Sequence, residues 1–438
     1  MSSPRLPFVF LTLAVAAGLL ACSESSTSPD DDGAAGGSTP CEQDCGGGGA
    51  TVQAPLELSE HVLVASDAQV HDRFGSAVAL SGDRLVVGAA GDDAIGKDAG
   101  GAYVFERDPG GTWIEVAQLH GAAAIPHDAI GEAVAVDGDV IVIGGDGVGA
   151  PPDEYVHQGA YVFERDANGA WVQRANLWLL APPPLADDNF GSAVAVSGGA
   201  IAVGAPRHES GAAFLPGAVF VFERDGGGVW HLAADLEMPG VGGLMGSAVA
   251  IEGGVLAVGS YNGSGAVLLY ERTDAGWVSA GTLAKPTGDA DDGFGYAVDL
   301  AGDRLVVGAP FLGANDGPDQ GAVFLYERDG SGGWQLVHTF EAPGDYDYGR
   351  YGSAVAVTDH HVLVGAVGRG SVYLYDQELD GTWVEVKRVF GLDPFGEALA
   401  ADGPYAAAGS PLRENDDLVA EPGSVHVFEG LRHEPASP

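Results

Sequence analysis

Apolar and polar positions along this chain come in short strand-like bursts separated by turn residues, and the bursts repeat. The first unit reads FGSAVALSGDRLVVGAA from Phe74, and the fifth reads FGYAVDLAGDRLVVGAP from Phe294. An aromatic or apolar residue followed by Gly opens every unit, with the glycine at Gly75, Gly131, Gly191, Gly246, Gly295, Gly352 and Gly396. Each unit predicts four strands. Strand A is FGSAVAL or its equivalent, strand B is DRLVVGAA, DVIVIGGD or AIAVGAPR, and strand C is GAYVFER, GAVFVFER or GAVFLYER. Strand D begins at a tryptophan: Trp113, Trp171, Trp230, Trp277, Trp334 or Trp383. Tight turns such as Ser81-Gly82-Asp83, Asp137-Gly138-Asp139 and Ala301-Gly302-Asp303 join A to B. Gly and Asp there supply the positive φ or the side-chain bond that such hairpins require.

A strand-only period of roughly fifty residues means a ring of small sheets, since one unit cannot bury its own face. The expected fold is all-β, a seven-bladed β-propeller of four-stranded antiparallel blades. Strands A and B (Ala77-Val78-Ala79, Leu85-Val86-Val87) are almost continuously small and apolar. Inner strands covered on both faces by adjacent blades demand that composition. The glycines after strand B (Gly88, Gly144, Gly204, Gly259, Gly308, Gly365, Gly409) are expected to let the backbone turn sharply beside the next blade. The recurring tryptophan reads as packing between neighbouring sheets. The seventh unit ends after Ser424–Phe428 without a tryptophan strand, while LELSEHVLVASDAQVHDRFG ahead of the first unit looks like an unpaired strand D. The segment from Leu58 to Val64 is thus expected to complete the last blade and remove its open edge.

The Phe-Gly…Gly-Ala-Pro pattern resembles FG-GAP repeats, the units of the seven-bladed propeller of integrin alpha subunits and of many bacterial exported proteins. Units three and five carry it most literally, with Phe190-Gly191 and Gly204-Ala205-Pro206, and with Phe294-Gly295 and Gly308-Ala309-Pro310. Elsewhere Ile130, Met245 and Tyr351 replace Phe, and Gly259-Ser260-Tyr261 or Gly365-Ala366-Val367 replaces Gly-Ala-Pro. The resemblance implies a calcium site between strands A and B in some units. Here those turns are too short to wrap an ion that takes six to eight oxygens, so that site does not carry over.

The first residues, MSSPRLPFVFLTLAVAAGLLAC, have one positive charge at Arg5 and an apolar stretch from Leu6 to Leu20. That is the layout of a secretory signal, too short and too early for an ordinary membrane span. Leu19-Leu20-Ala21-Cys22 resembles a bacterial lipobox, which makes Cys22 the lipid-attachment residue and, with Ser23 after it, points to the outer membrane. Residues 22–53 are rich in Ser, Gly, Asp and Pro and read as a flexible tether. Cys41 and Cys45 lie within it, and export makes a small local disulfide the expected state. The expected division is a signal at 1–21, a tether at 22–53, the propeller at 54–430 and a tail at 431–438.

Acidic residues number 62 against 19 basic, for a net charge of −43. Such a field repels nucleic acid and anionic lipid heads, and leaves the lipid anchor as the only expected membrane contact. Acids cluster just ahead of strand A, at Asp187-Asp188-Asn189, at Asp289, Asp291 and Asp292, and at Asp345 and Asp347. The 289–292 run looks like a broken calcium loop without its terminal bidentate carboxylate. Those last five aspartates are the candidate metal ligands, calcium the one candidate ion, and no other cofactor is called for. Further loop acids (Asp92, Asp93, Asp98; Asp316, Asp319; Glu414, Asp416, Asp417) read as turn capping and solvation.

The serine after the opening glycine (Ser76, Ser192, Ser247, Ser353) becomes Glu132, Tyr296 and Glu397 in other units, which marks a repeat position and not a nucleophile. The pair His360-His361 falls in an A–B turn with one ring expected to face solvent. There is no Gly-x-Ser-x-Gly elbow and no HExxH helix, so no catalytic residues are assigned. The expectation is a monomeric, lipid-anchored, surface-exposed binding or adhesion module for protein or glycan ligands, not an enzyme. Two alternatives stand beside it: a polysaccharide hydrolase or lyase built on the propeller, and a structural envelope protein. The B–C connections differ widely in length between units, which places the expected ligand face on the side of the B–C and D–A connections.

Overall fold

Seven four-stranded antiparallel sheets follow one another along the chain, six of them simple meanders in the order A-B-C-D. The computed structural model describes residues 58–145, 147, 159–177, 188–208, 217–237, 243–263, 265–286, 292–313, 320–343, 349–391, 394–411 and 422–431. The A strands, at Phe74–Ser81, Ala133–Asp137, Ala193–Ser197, Ala248–Glu252, Ala297–Ala301, Tyr351–Val357 and Leu399–Asp402, line the axis. The seventh sheet is different: its outer strand is Ser59–Leu63, paired antiparallel with Ser424–Glu429 from Ser59↔Glu429 to Leu63↔Val425. The N-terminal strand therefore closes the ring as its pattern predicts. Gln53–Pro438 forms one compact unit.

The B strands are buried from their second residue on, with Val86, Val142, Ala202, Ala257, Val306 and Ala407 all fully covered. Each unit's opening aromatic or apolar residue is covered as well: Phe74, Ile130, Phe190, Met245, Phe294, Tyr351 and Phe395 are at most 1% exposed. Withdrawing such a side chain from water contributes about 1.5–3 kcal/mol per blade. The glycine behind it adopts a φ between 84° and 101° in all seven blades, a region closed to most L-residues.

The glycine after strand B has a different task from the expected one. Gly88, Gly204 and their equivalents lie inside the strand and do not take a positive φ. A Cβ on Gly88 would stand 1.9 Å from the Gly131 carbonyl oxygen, one on Gly204 2.0 Å from that of Gly246, and one on Gly409 2.1 Å from that of Gly75. The residue is glycine because the next blade's backbone presses against it, and no sharp turn occurs there. The contact runs around the whole ring, the 7-to-1 junction included.

Near its end strand C carries Glu-Arg in blades one to five, and it ends at Glu429 in blade seven; these acids and arginines bond across seams between blades. Glu429 of blade seven accepts from Arg107 Nε and Nη2, both at 2.9 Å, and from Trp113 Nε1 at 2.9 Å, all in blade one. Glu164 likewise receives Arg224 at 2.8 Å and the Trp230 indole at 3.1 Å. Glu223 receives Arg272 at 2.6 and 2.9 Å and the Trp277 indole at 2.9 Å. The guanidiniums hold Glu429 and Glu223 below the usual carboxylate range. The tryptophans thus pack between sheets as expected, and the N–H groups of Trp113, Trp230 and Trp277 share an acid with an arginine.

Candidate functional site

Positions that recur in every blade build the ring, so residues that break the repeat are where a particular function can reside. Two such places are described. The first is the axial mouth on the A–B side, a cavity of about 550 Å3 bordered by Asp137, Glu252, Asp299, Asp359, His360 and Asp402. Asp299 stands where the other six A strands place alanine: Ala79, Ala135, Ala195, Ala250, Ala356 and Ala400. Burial among the A strands pushes its carboxyl up to about 7, against hydrogen bonds from the Val357 and Leu300 N–H groups and with the Glu252 charge adding to the rise. Burial raises Glu252 as well.

These acids have structural work. The Gly82 N–H donates to Asp402 at 2.6 Å, Gly198 to Asp137 at 2.7 Å, Gly302 to Glu252 at 2.8 Å and Val357 to Asp299 at 2.8 Å. Each carboxylate caps an amide in the following blade, so the mouth is a chain of inter-blade caps.

The second place lies on the opposite face, where the B–C and D–A connections run. Tyr296 follows the opening glycine of blade five, at the axial end of strand A, where other blades carry Ser or Glu. Its ring meets Tyr261 edge-on at 5.1 Å and Phe311 at 5.5 Å. Tyr261 comes from the brief B–C connection of blade four, and Phe311 from just beyond strand B of blade five. Arg350, immediately ahead of strand A of blade six, sits 6.0 Å from the Phe311 ring centre. Tyr296 is 37% exposed and Arg350 is exposed, so rings and guanidinium face solvent together. The individual substitutions are visible in the sequence; that they converge is not, because they come from three different blades.

Of the candidate site residues, Cys22, Cys41, Cys45, Asp289, Asp291, Asp345 and Asp347 lie outside the described residues. Asp292 is buried and paired with Lys285 Nζ at 2.9 Å. Its equivalents behave similarly: Asp188 meets His208 Nδ1 at 2.9 Å, while Asp72 and Asp128 cap the amides of Gln69 and Ile125. Asp92 and Asp93 cap turn amides at 2.6 Å. Among the described residues, no three His, Cys, Asp or Glu side chains converge as a metal site would need. Ser76, Ser247 and Ser353 spend their hydroxyls on the carbonyls of Gly131, Gly259 and Gly365. His361 departs from expectation: it begins strand B, is fully buried and lies 3.5 Å from Asp376, while His360 is half-buried. Among the described residues no helix is long and apolar enough to cross a membrane.

Three segments, residues 59–105, 171–222 and 277–326, match the FG-GAP repeat family. No curated protein sequence matches the chain. Among solved structures it is similar to a chain of the Mitotic Checkpoint Complex (13% identity, 89% of this chain and 98% of that one, TM-score 0.51). It is also similar to a candidate 6-phosphogluconolactonase of Bacteroides uniformis ATCC 8492 (12% identity, 73% of this chain and 86% of that one, TM-score 0.50). At such identities the likeness is one of fold alone. The chain is thus a seven-bladed β-propeller in which three segments match the FG-GAP repeat family.

Proposed function

We propose that the chain is a binding module of a bacterial cell envelope, lipid-anchored through Cys22 at the outer membrane and facing outward. It docks a protein or glycan ligand on the face of the B–C and D–A connections, as a monomer and without catalysis of its own. The observation that carries this reading is the Tyr261–Tyr296–Phe311 cluster with Arg350 beside it. Tyr and Arg are the side chains on which binding energy concentrates, because they offer large rigid area with a polar end. The cluster breaks the repeat and takes Tyr261 from the short B–C connection of blade four.

The test is a glycan array and a pull-down with residues 54–438, each run with and without calcium. Tyr296→Ser and Phe311→Ala are compared with the wild type. Serine is the residue that four sister blades already carry at the Tyr296 position, so the fold tolerates it. A loss of binding by about 1–3 kcal/mol in either variant supports the reading; unaltered binding by both removes this face from consideration.

The axial acids favour one rival, a hydrolase or lyase acting on polysaccharide. Depolymerisation of a polysaccharide by the wild type, abolished in Asp299→Asn, would establish it.

A further inference from the structure

The residue that opens strand B, nine positions after the opening glycine, stands at the seam with the tryptophan of the next blade. It is Arg84, Val140, Ala200, Val255, Arg304, His361 and Tyr405 in blades one to seven. In the 1-to-2 seam the Arg84 guanidinium lies over the Trp171 ring at 4.8 Å. It pairs with Glu106 at 3.1 Å and donates to the Gly138 carbonyl in the next A–B turn. In the 5-to-6 seam Arg304 repeats this over Trp383 at 5.3 Å, with Glu327 at 3.2 Å and the Asp359 carbonyl. In the 3-to-4 seam the position is Ala200, the smallest of the seven. A cavity of about 440 Å3 opens there, lined by Ala200, Trp277, Glu223, Gly253, Arg224 and Arg272 among others. Trp277, Glu223 and Gly253 are the counterparts of Trp171, Glu106 and Gly138.

We infer that the 3-to-4 seam binds a guanidinium group, in the place that the chain's own arginines fill in two sister seams. A planar cation stacked on an indole beside a carboxylate gains both ring and charge-assisted contacts. The lining arginines do not oppose it. Arg272 is already held by Glu223 and Arg224 by Glu164. In the 1-to-2 seam, moreover, Arg165 and Arg84 share Glu106, at 3.1 Å each. A chain of net charge −43 also draws cations toward it. The cavity lies on the face of the A–B turns, away from the Tyr296 cluster, so this inference does not depend on the ligand proposed there.

The test is calorimetric titration of the full chain with N-acetylarginine amide and with agmatine, using N-acetyllysine amide as the control. The arginine compounds are expected to bind in the millimolar range, and the lysine compound about tenfold more weakly or not at all. Ala200→Arg places the guanidinium in the seam covalently and is expected to weaken binding by about tenfold or more. Ala200→Val, the residue type of blades two and four, is expected to weaken it too, and reports on the cavity if the arginine variant folds poorly. Tighter binding of the acetylated amide assigns an arginine side chain of a partner protein; equal or tighter binding of agmatine assigns a free small guanidine. Absence of binding at about 10 mM, or titrations unchanged in both variants, overturns the inference.

Discussion

Asp299 shows how one side chain sets a condition on the whole ring. Its carboxyl titrates near 7 in the fold against 3.8 for the unperturbed group. Between those values the unfolded chain has released the proton and the folded chain still holds it, so stability falls as pH rises through this window. Below about pH 4 the penalty is absent, and above 7 it is complete. Asp299→Ala, which restores the residue of the six sister blades, is expected to stabilise by roughly 2 kcal/mol at pH 8, discounted because Asp299 is half-buried, and by little at pH 4. Denaturant unfolding at both pH values checks this; an equal effect at both would show that the carboxyl carries no such shift. Isolated aspartates in the sequence do not reveal such a role. What marks Asp299 is the register that sets it against six alanines, and the repeat made that register legible.

At the scale of elements, closure decides whether there is a ring at all. The strand Ser59–Leu63 is the fourth strand of blade seven, and Glu429 beside it ties blade seven to Arg107 and Trp113 of blade one. Deleting Pro55–Ser66 removes that strand, bares the edge of Ser424–Glu429 and leaves blade seven with three strands. Deleting Ser23–Gly49 leaves all the described strands in place. The first truncation is expected to lose cooperative thermal unfolding or solubility and the second to keep the wild-type transition, as followed by circular dichroism. Equal transition temperatures for the two would refute closure by this strand. The strand was readable because the last unit lacks its tryptophan strand and the first is preceded by a spare one. The seam latches were not readable, although every Glu-Arg pair was in view. The latching partners lie in the neighbouring blade, as where Glu429 meets Arg107, Glu164 meets Arg224 and Glu223 meets Arg272.

For the whole molecule, the repeats make the scaffold and the departures from them make its surface. The anchor proposed at Cys22 belongs to this scale too, since lipid there would hold the propeller at a membrane. Cys22→Ser is expected to move the protein from the membrane to the soluble fraction and to abolish incorporation of labelled fatty acid. Unchanged partitioning would exclude lipidation at this residue.

Taken alone, the sequence determined the strand order, the number of blades, the inward-facing composition and the closing strand. All of these follow from local periodicity and turn chemistry, and a repeated unit reports them seven times over. Tertiary structure decided what happens between units. The glycines after strand B are pressed by a carbonyl of the next blade, Trp113, Trp230 and Trp277 each share an acid of the previous blade, and a cavity opens beside Ala200 and Trp277. Tyr261, Tyr296, Phe311 and Arg350, drawn from three blades, meet in space only because the ring curves back on its axis. Most contacts of this kind join residues of different repeat units, as far apart as Gly75 and Gly409, and no local pattern of apolar and polar residues carries information about them.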